Sequence, residues 1–160
     1  MKQKANIKIL PLAVSVIIPQ AAGALSALLS SNQSKIYQSL NLPFFAPPSW
    51  LFAPVWIVLY TLMGIASYLV YTSHANKNLI NEAFYYYALQ LVLNFFWSII
   101  FFSLGLMTLA FIEILILLFF IILTTVYFFR INKTAGYFMI PYIVWVSFAS
   151  LLNLSIILLN

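Results

Sequence analysis

The sequence has no cysteine, one histidine (His74) and two carboxylates (Glu82 and Glu113) among 160 residues. Without thiols there is no disulfide framework, thiolate nucleophile or cysteine metal site. One imidazole and two carboxylates are too little for a Ser/His/Asp triad or a His/carboxylate metal cluster, so hydrolase and metalloenzyme chemistries are disfavoured, and no metal or cofactor is expected. Charge is scarce as well: 6% of the side chains are charged, where soluble domains carry about a quarter. There is too little polar material to cover a water-soluble globule of this length.

What fills the chain is apolar: 65% of the residues are hydrophobic and the mean hydropathy is +1.07. Five uninterrupted runs stand out, Ile9 to Leu29, Trp50 to Thr72, Ala83 to Ser103, Met107 to Phe129 and Gly136 to Leu158. Each is long enough, at about 1.5 Å per residue, to cross a hydrocarbon core of about 30 Å as a helix. The alternating pattern of a membrane β-barrel is absent. The sequence therefore predicts an all-α integral membrane protein, a bundle of five transmembrane helices forming a single domain over residues 1–160. No internal repeat or second domain is visible. Ser103-Leu104-Gly105-Leu106 marks the turn between the third and fourth spans, with Gly105 as the helix stop.

Lys2, Lys4 and Lys8 ahead of an apolar stretch resemble a secretory leader, but that stretch continues to Leu29, past the usual length of a signal core, and is read as the first helix. Five spans then place Lys2, Lys4, Lys8, Lys77, Arg130 and Lys133 on one side and only Lys35 on the other. Positive charge collects on the cytoplasmic face. The N-terminus is thus expected in the cytoplasm of a cell-membrane protein, with the first loop and the C-terminus outside. The net charge of +5 is read as orientation in the bilayer; no nucleic-acid partner is expected.

The first connection, Ser30 to Ser49, is the longest, and its second half reads Leu42-Pro43-Phe44-Phe45-Ala46-Pro47-Pro48. Pro43, Pro47 and Pro48 fix φ and remove backbone donors, so a stiff, extended segment is expected, with Pro48 entering the next helix. Stiff aromatics there form either a lid or an interfacial aromatic belt. Inside the spans, Gln90, Asn94 and Trp97 share a helical face, as do Trp145, Ala149 and Asn153, and Trp56, Tyr60 and Gly64. An amide in hydrocarbon needs a partner, so Gln90, Asn94 and Asn153 should point into the bundle. Two readings compete: interhelical hydrogen bonding, or a pocket of Trp and Tyr faces with a few amides for a flat, mostly apolar ligand.

Gly23 and Ala27 form a small-xxx-small pair that favours close helix packing. Pro19, Pro54 and Pro141 lie within or near the starts of helices, where each frees a carbonyl. Glu113 is the one carboxylate within a span, about two turns from its end, and is expected to snorkel or carry a proton. His74 belongs to a solvated connection. Leu123, Tyr127 and Arg130 satisfy a loose sterol-contact pattern that arises easily in a chain of this composition.

Several of these residues fall into longer blocks. Pro43-x-Phe45-x-Pro47-Pro48-x-Trp50-x-Phe52-x-Pro54-Val55-Trp56 is followed by Leu59-Tyr60 and Met63-Gly64-x-Ala66. Further on come Gln90-Leu91-x-Leu93-Asn94-x-x-Trp97-Ser98 and Pro141-Tyr142-x-x-Trp145-x-x-x-Ala149-x-x-Leu152-Asn153. The chain resembles, over nearly its whole length, the TspO/MBR family of tryptophan-rich sensory proteins and translocator (peripheral-type benzodiazepine receptor) proteins. The resemblance implies a five-helix bundle, commonly a homodimer, with a cavity beneath the first loop. That cavity takes porphyrins and, in some members, sterols or synthetic benzodiazepine-type ligands.

Carried over by position, Trp50, Trp56, Asn94, Trp97, Trp145 and Ala149 would line or border this cavity, with Phe45, Tyr60, Gln90 and Asn153 beside them. Ile36 and Phe44 or Phe45 stand where many members have Trp, and the C-terminal sterol motif of the animal proteins is missing. The leading expectation is a membrane receptor for tetrapyrroles, serving sensing, transport or disposal, with Asn94 and Gln90 hydrogen-bonding the ligand and Lys35 facing its carboxylates. The enzymatic alternative is light-dependent oxidation of bound porphyrin, using Trp56, Trp97 or Trp145 and no acid/base group. A small-molecule transporter is a further alternative, although the chain has neither an internal repeat nor a buried charge pair.

Overall fold

The structure, a computed structural model, describes residues 8–30 and 32–160. Lys2 and Lys4, two of the basic residues expected on the cytoplasmic side, lie outside the described residues. The described chain is all helix and loop: α1 (Ile9–Leu29), α2 (Gln33–Ser39), a 3-10 turn (Ser49–Leu51), α3 (Phe52–Tyr71), α4 (Lys77–Ser98), a π-turn (Ile99–Ser103), α5 (Met107–Ile131) and α6 (Lys133–Leu159). Helices α1, α3, α4, α5 and α6 are long and apolar enough to cross a membrane. The protein is an all-α, multi-pass membrane protein built as a bundle of five spanning helices.

The spans follow the apolar runs closely, and where they overshoot, an asparagine cap accounts for the extension. Helix α4 begins at Lys77, six residues before Ala83, because Asn76 Oδ1 accepts from the Asn78 amide at 2.8 Å. Helix α6 begins at Lys133 because Asn132 Oδ1 accepts from the amides of Thr134 and Ala135 at 2.9 and 3.2 Å. A side-chain acceptor there satisfies amides that the first helical turn leaves orphaned. Asn132 is also the single extended residue between α5 and α6, which makes these helices an antiparallel hairpin.

The five long helices close a ring in which α1 neighbours α3 and α4, α3 neighbours α6, and α5 packs between α6 and α4. Lipid tails are as apolar as leucine, so close packing and interhelical hydrogen bonds hold such a bundle together. The backbones of α1 and α3 approach closely at Gly64, where a Cβ would stand 2.5 Å from Val16 Cα and 2.7 Å from the Ser15 carbonyl oxygen. The ring is filled by Met63, Val70, Leu117, Ile121, Phe128 and Met139, all essentially inaccessible. Helix α1 buries only Pro19 and Ser26 and lies on the flank of the bundle, with Ile9, Leu10, Ile17 and Leu28 turned outward.

The first half of the connection between α1 and α3 folds as a helix, α2, whose Tyr37 is buried, while the half expected to be extended, from Leu42 to Pro48, holds no helix. Glu113 does not snorkel: it is 8% exposed and both carboxyl oxygens lack a protein partner. His74 is exposed in the α3–α4 connection. Arg130 lies 5.4 Å above the Tyr127 ring, which accounts for this pair without a ligand.

Candidate ligand cavity beneath the first loop

At the end of the bundle where α1 leaves and α3 enters, the helices diverge around a cavity of about 500 Å³. The first connection covers it. Tyr37 of α2 donates its hydroxyl to the Pro47 carbonyl at 2.9 Å and sets its ring edge against Phe52, centroids 5.2 Å apart. Burial raises the Tyr37 pKa above the usual 10.0, which keeps the phenol a neutral donor. Ser34, Gln38 and Ser49 tie α2 to the 3-10 turn: Gln38 Nε2 donates to both hydroxyls at 3.2 and 3.1 Å, and Ser34 donates to Ser49 at 3.0 Å.

A second fastening lies at the far end of the chain. The Asn41 amide donates to Asn160 Oδ1 at 3.0 Å, Asn41 Nδ2 to the Leu159 carbonyl at 3.2 Å, and Asn160 Nδ2 returns to the Asn41 carbonyl at 3.1 Å. Pro43, Pro47 and Pro48 thus belong to a cover held at both ends.

Beneath the cover, α3 supplies Phe52, Ala53, Trp56 and Tyr60, and α4 supplies Asn94 and Trp97, continued by Phe101 and Phe102 of the π-turn. Helix α6 contributes Ala149, Leu152, Asn153 and Ile156, and α1 contributes Gly23, Ala24 and Ala27. Trp56 stacks on Tyr60 at 5.2 Å and 28°, and Trp97 on Phe101 at 5.2 Å and 25°. Phe101, within the π-turn, is buried with its ring stacked on Trp97, and the wider turn re-aims the side chains that follow it.

Gly23 faces an aromatic ring and not another helix backbone: a Cβ there would stand 2.1 Å from Tyr60 Cε2. The small pair on α1 therefore makes room for Tyr60 and, at Ala27, for the cavity.

The buried amides form a chain leading away from the cavity. Tyr60 donates to Asn94 Oδ1 at 2.5 Å, Asn94 Nδ2 to the Tyr142 hydroxyl at 2.9 Å, Tyr142 to Gln90 Oε1 at 2.9 Å, and Gln90 Nε2 to Met63 Sδ at 3.4 Å. Gln90 is wholly buried behind Asn94 and does not line the cavity. These amides hold α3, α4 and α6 in register. Asn153 Nδ2 donates to the Met107 carbonyl at 3.1 Å, while Asn153 Oδ1 and Trp97 Nε1 are buried without protein partners.

Of the positions singled out from sequence, Trp56, Tyr60, Asn94, Trp97, Ala149 and Asn153 come together in this lining. Phe45 packs on Phe148 at 6.1 Å, Trp50 is 69% exposed, and Trp145 packs against Phe52 and Phe148 at 5.9 and 5.6 Å, behind the lining. Lys35 is exposed and absent from the lining. The structure adds Phe52 and Phe101, which lie one helical step of four from Trp56 and Trp97 and could have been found by that spacing. Tyr37, in a polar heptapeptide helix, gave no comparable signal.

Five spanning helices, with an aromatic cavity between α1, α3, α4 and α6 beneath a fastened proline-rich loop, define a multi-pass membrane protein with a ligand-sized pocket in its bundle. Residues 15–159 match the model of the TspO/MBR family. The chain is 39% identical to the "Tryptophan-rich protein TspO" of Chlorobaculum tepidum (97% of this chain, 99% of that one) and 37% identical to the protein of the same name from Archaeoglobus fulgidus (95% and 98%). It is 31% identical to the "Translocator protein" of Ovis aries (86% and 82%). The chain belongs to the TspO/MBR family.

Proposed function

We propose that the protein is a membrane receptor for a tetrapyrrole, bound in the cavity between α1, α3, α4 and α6. The observation that carries this reading is the pairing of Trp56 on Tyr60 and Trp97 on Phe101 in one enclosure of about 500 Å³. Flat aromatic walls with few polar groups suit a planar apolar ligand, which gains from stacking as well as from burial. The ligand enters when the Tyr37–Pro47 and Asn41–Asn160 fastenings open. The six-to-one distribution of basic residues favours placing this lid outside the cell.

Titration of protoporphyrin into detergent-solubilised protein, followed by tryptophan fluorescence, tests the proposal: saturable quenching is expected, and its absence would remove the tetrapyrrole.

The presence of two indoles in the lining favours a second reading, in which light-excited porphyrin is oxidised in place and the chemistry belongs to the ligand. Illuminated complex should then lose its porphyrin spectrum faster than porphyrin in empty micelles, and equal rates would exclude this.

A further inference from the structure

Each side chain that lines the cavity, among the described residues, is uncharged. Its rim is Gln33, Ser34 and Ser49; the two hydroxyls are already joined to each other and to Gln38. Deeper in, the Asn94 amide is engaged by Tyr60 and Tyr142, Gln20 by Ile57 and Thr61, and Ser26 by Phe95; Trp97 Nε1 and Asn153 Oδ1 are buried without protein partners, and most of what remains is aromatic or aliphatic surface. Lys35 is turned to solvent, and Lys77, Arg130 and Lys133 sit at the ends of helices at the opposite end of the bundle.

Tetrapyrroles commonly carry carboxylic side chains. A carboxylate taken into a low-dielectric enclosure without a cation costs several kcal/mol, which is several orders of magnitude in affinity. A carboxylate left in water at a neutral rim costs little and gains little. Either way, the negative charge does not contribute to recognition.

We infer that this cavity selects an uncharged planar ring system, reading its flat apolar body and leaving any carboxylate in water at the Gln33–Ser34–Ser49 rim. The inference rests on the tetrapyrrole reading and narrows it: an esterified or carboxyl-free macrocycle is at least as good a ligand as the free acid.

The test is a parallel titration of the protein in nanodiscs with protoporphyrin IX and with its dimethyl ester, empty nanodiscs serving to subtract partition into lipid. The diester should bind more tightly than the free acid or within about fivefold of it, and Lys35→Gln should shift free-acid affinity by less than about fivefold. A free acid preferred by more than that factor, or a larger loss in Lys35→Gln, overturns the inference while leaving the tetrapyrrole reading intact. If neither compound saturates above the empty-disc background, both fall.

Discussion

The Tyr60 hydroxyl lies 2.5 Å from Asn94 Oδ1, joining α3 to α4 across the interior of a ring in which α1 and α6, not α4, are the packed neighbours of α3. The same amide passes the connection to Tyr142 of α6. One asparagine therefore fixes three walls of the cavity.

Asn94→Leu leaves the buried Tyr60 hydroxyl without a partner and takes from Tyr142 one of its two, Gln90 remaining, and should cost about 1–3 kcal/mol. Tyr60→Phe removes one bond and should cost about 0.6–1.7 kcal/mol, between the mean and the largest value found for interhelical bonds in membranes. Thermal unfolding in detergent should rank the melting points wild type, Tyr60→Phe, Asn94→Leu from highest to lowest.

Two glycines separate stability from binding. Gly64→Ala pushes a methyl group into the backbone of Val16 and Ser15, which no rotamer can relieve, and should destabilise the bundle by about 1–3 kcal/mol. Gly23→Ala meets the Tyr60 ring, which can swing away and break its bond to Asn94. Its main effect should be weaker ligand binding, and paired melting and titration curves of the two variants distinguish these outcomes.

The sequence made the inward placement of Gln90, Asn94 and Asn153 legible because an amide cannot be left in hydrocarbon. It did not separate Trp56 and Trp97 from Trp50 and Trp145. Trp56, Trp97 and Trp145 each fit a helical stripe and Trp50 sits at the edge of the lid, and only the crossing of α3 and α6 puts Phe52 in front of Trp145. Helix α2 was hidden because a seven-residue polar helix has too few apolar positions to show a period. The Asn41–Asn160 fastening joins residues 119 positions apart by backbone and amide groups, to which no side-chain pattern points. The π-turn after Ser98 likewise leaves no composition signature.

Closure of the lid should weaken at alkaline pH. The Tyr37 pKa is raised by burial, so its neutral, donating form is favoured in the closed state; that contribution is complete below the ordinary tyrosine value and is lost as pH rises through the raised one. Hydrogen exchange over residues 40–51 should accelerate in this alkaline window in the wild type. Tyr37→Phe should be faster throughout and lack the step.

Asn160→Ala removes two of the bonds that reach Asn41. At about 0.5–1.5 kcal/mol each, ligand dissociation should accelerate roughly tenfold with little change in melting temperature. Stopped-flow release of a fluorescent porphyrin reads this directly.

The occupancy of the cavity is tested most directly by titrating protoporphyrin into wild-type protein and into Ala149→Leu, which adds three carbons at a cavity-lining position of α6. Saturable quenching of tryptophan fluorescence is expected in the wild type, with affinity lowered at least about tenfold in the variant while its melting temperature stays near that of the wild type. Quenching that is the same in both proteins would contradict binding between α1, α3, α4 and α6.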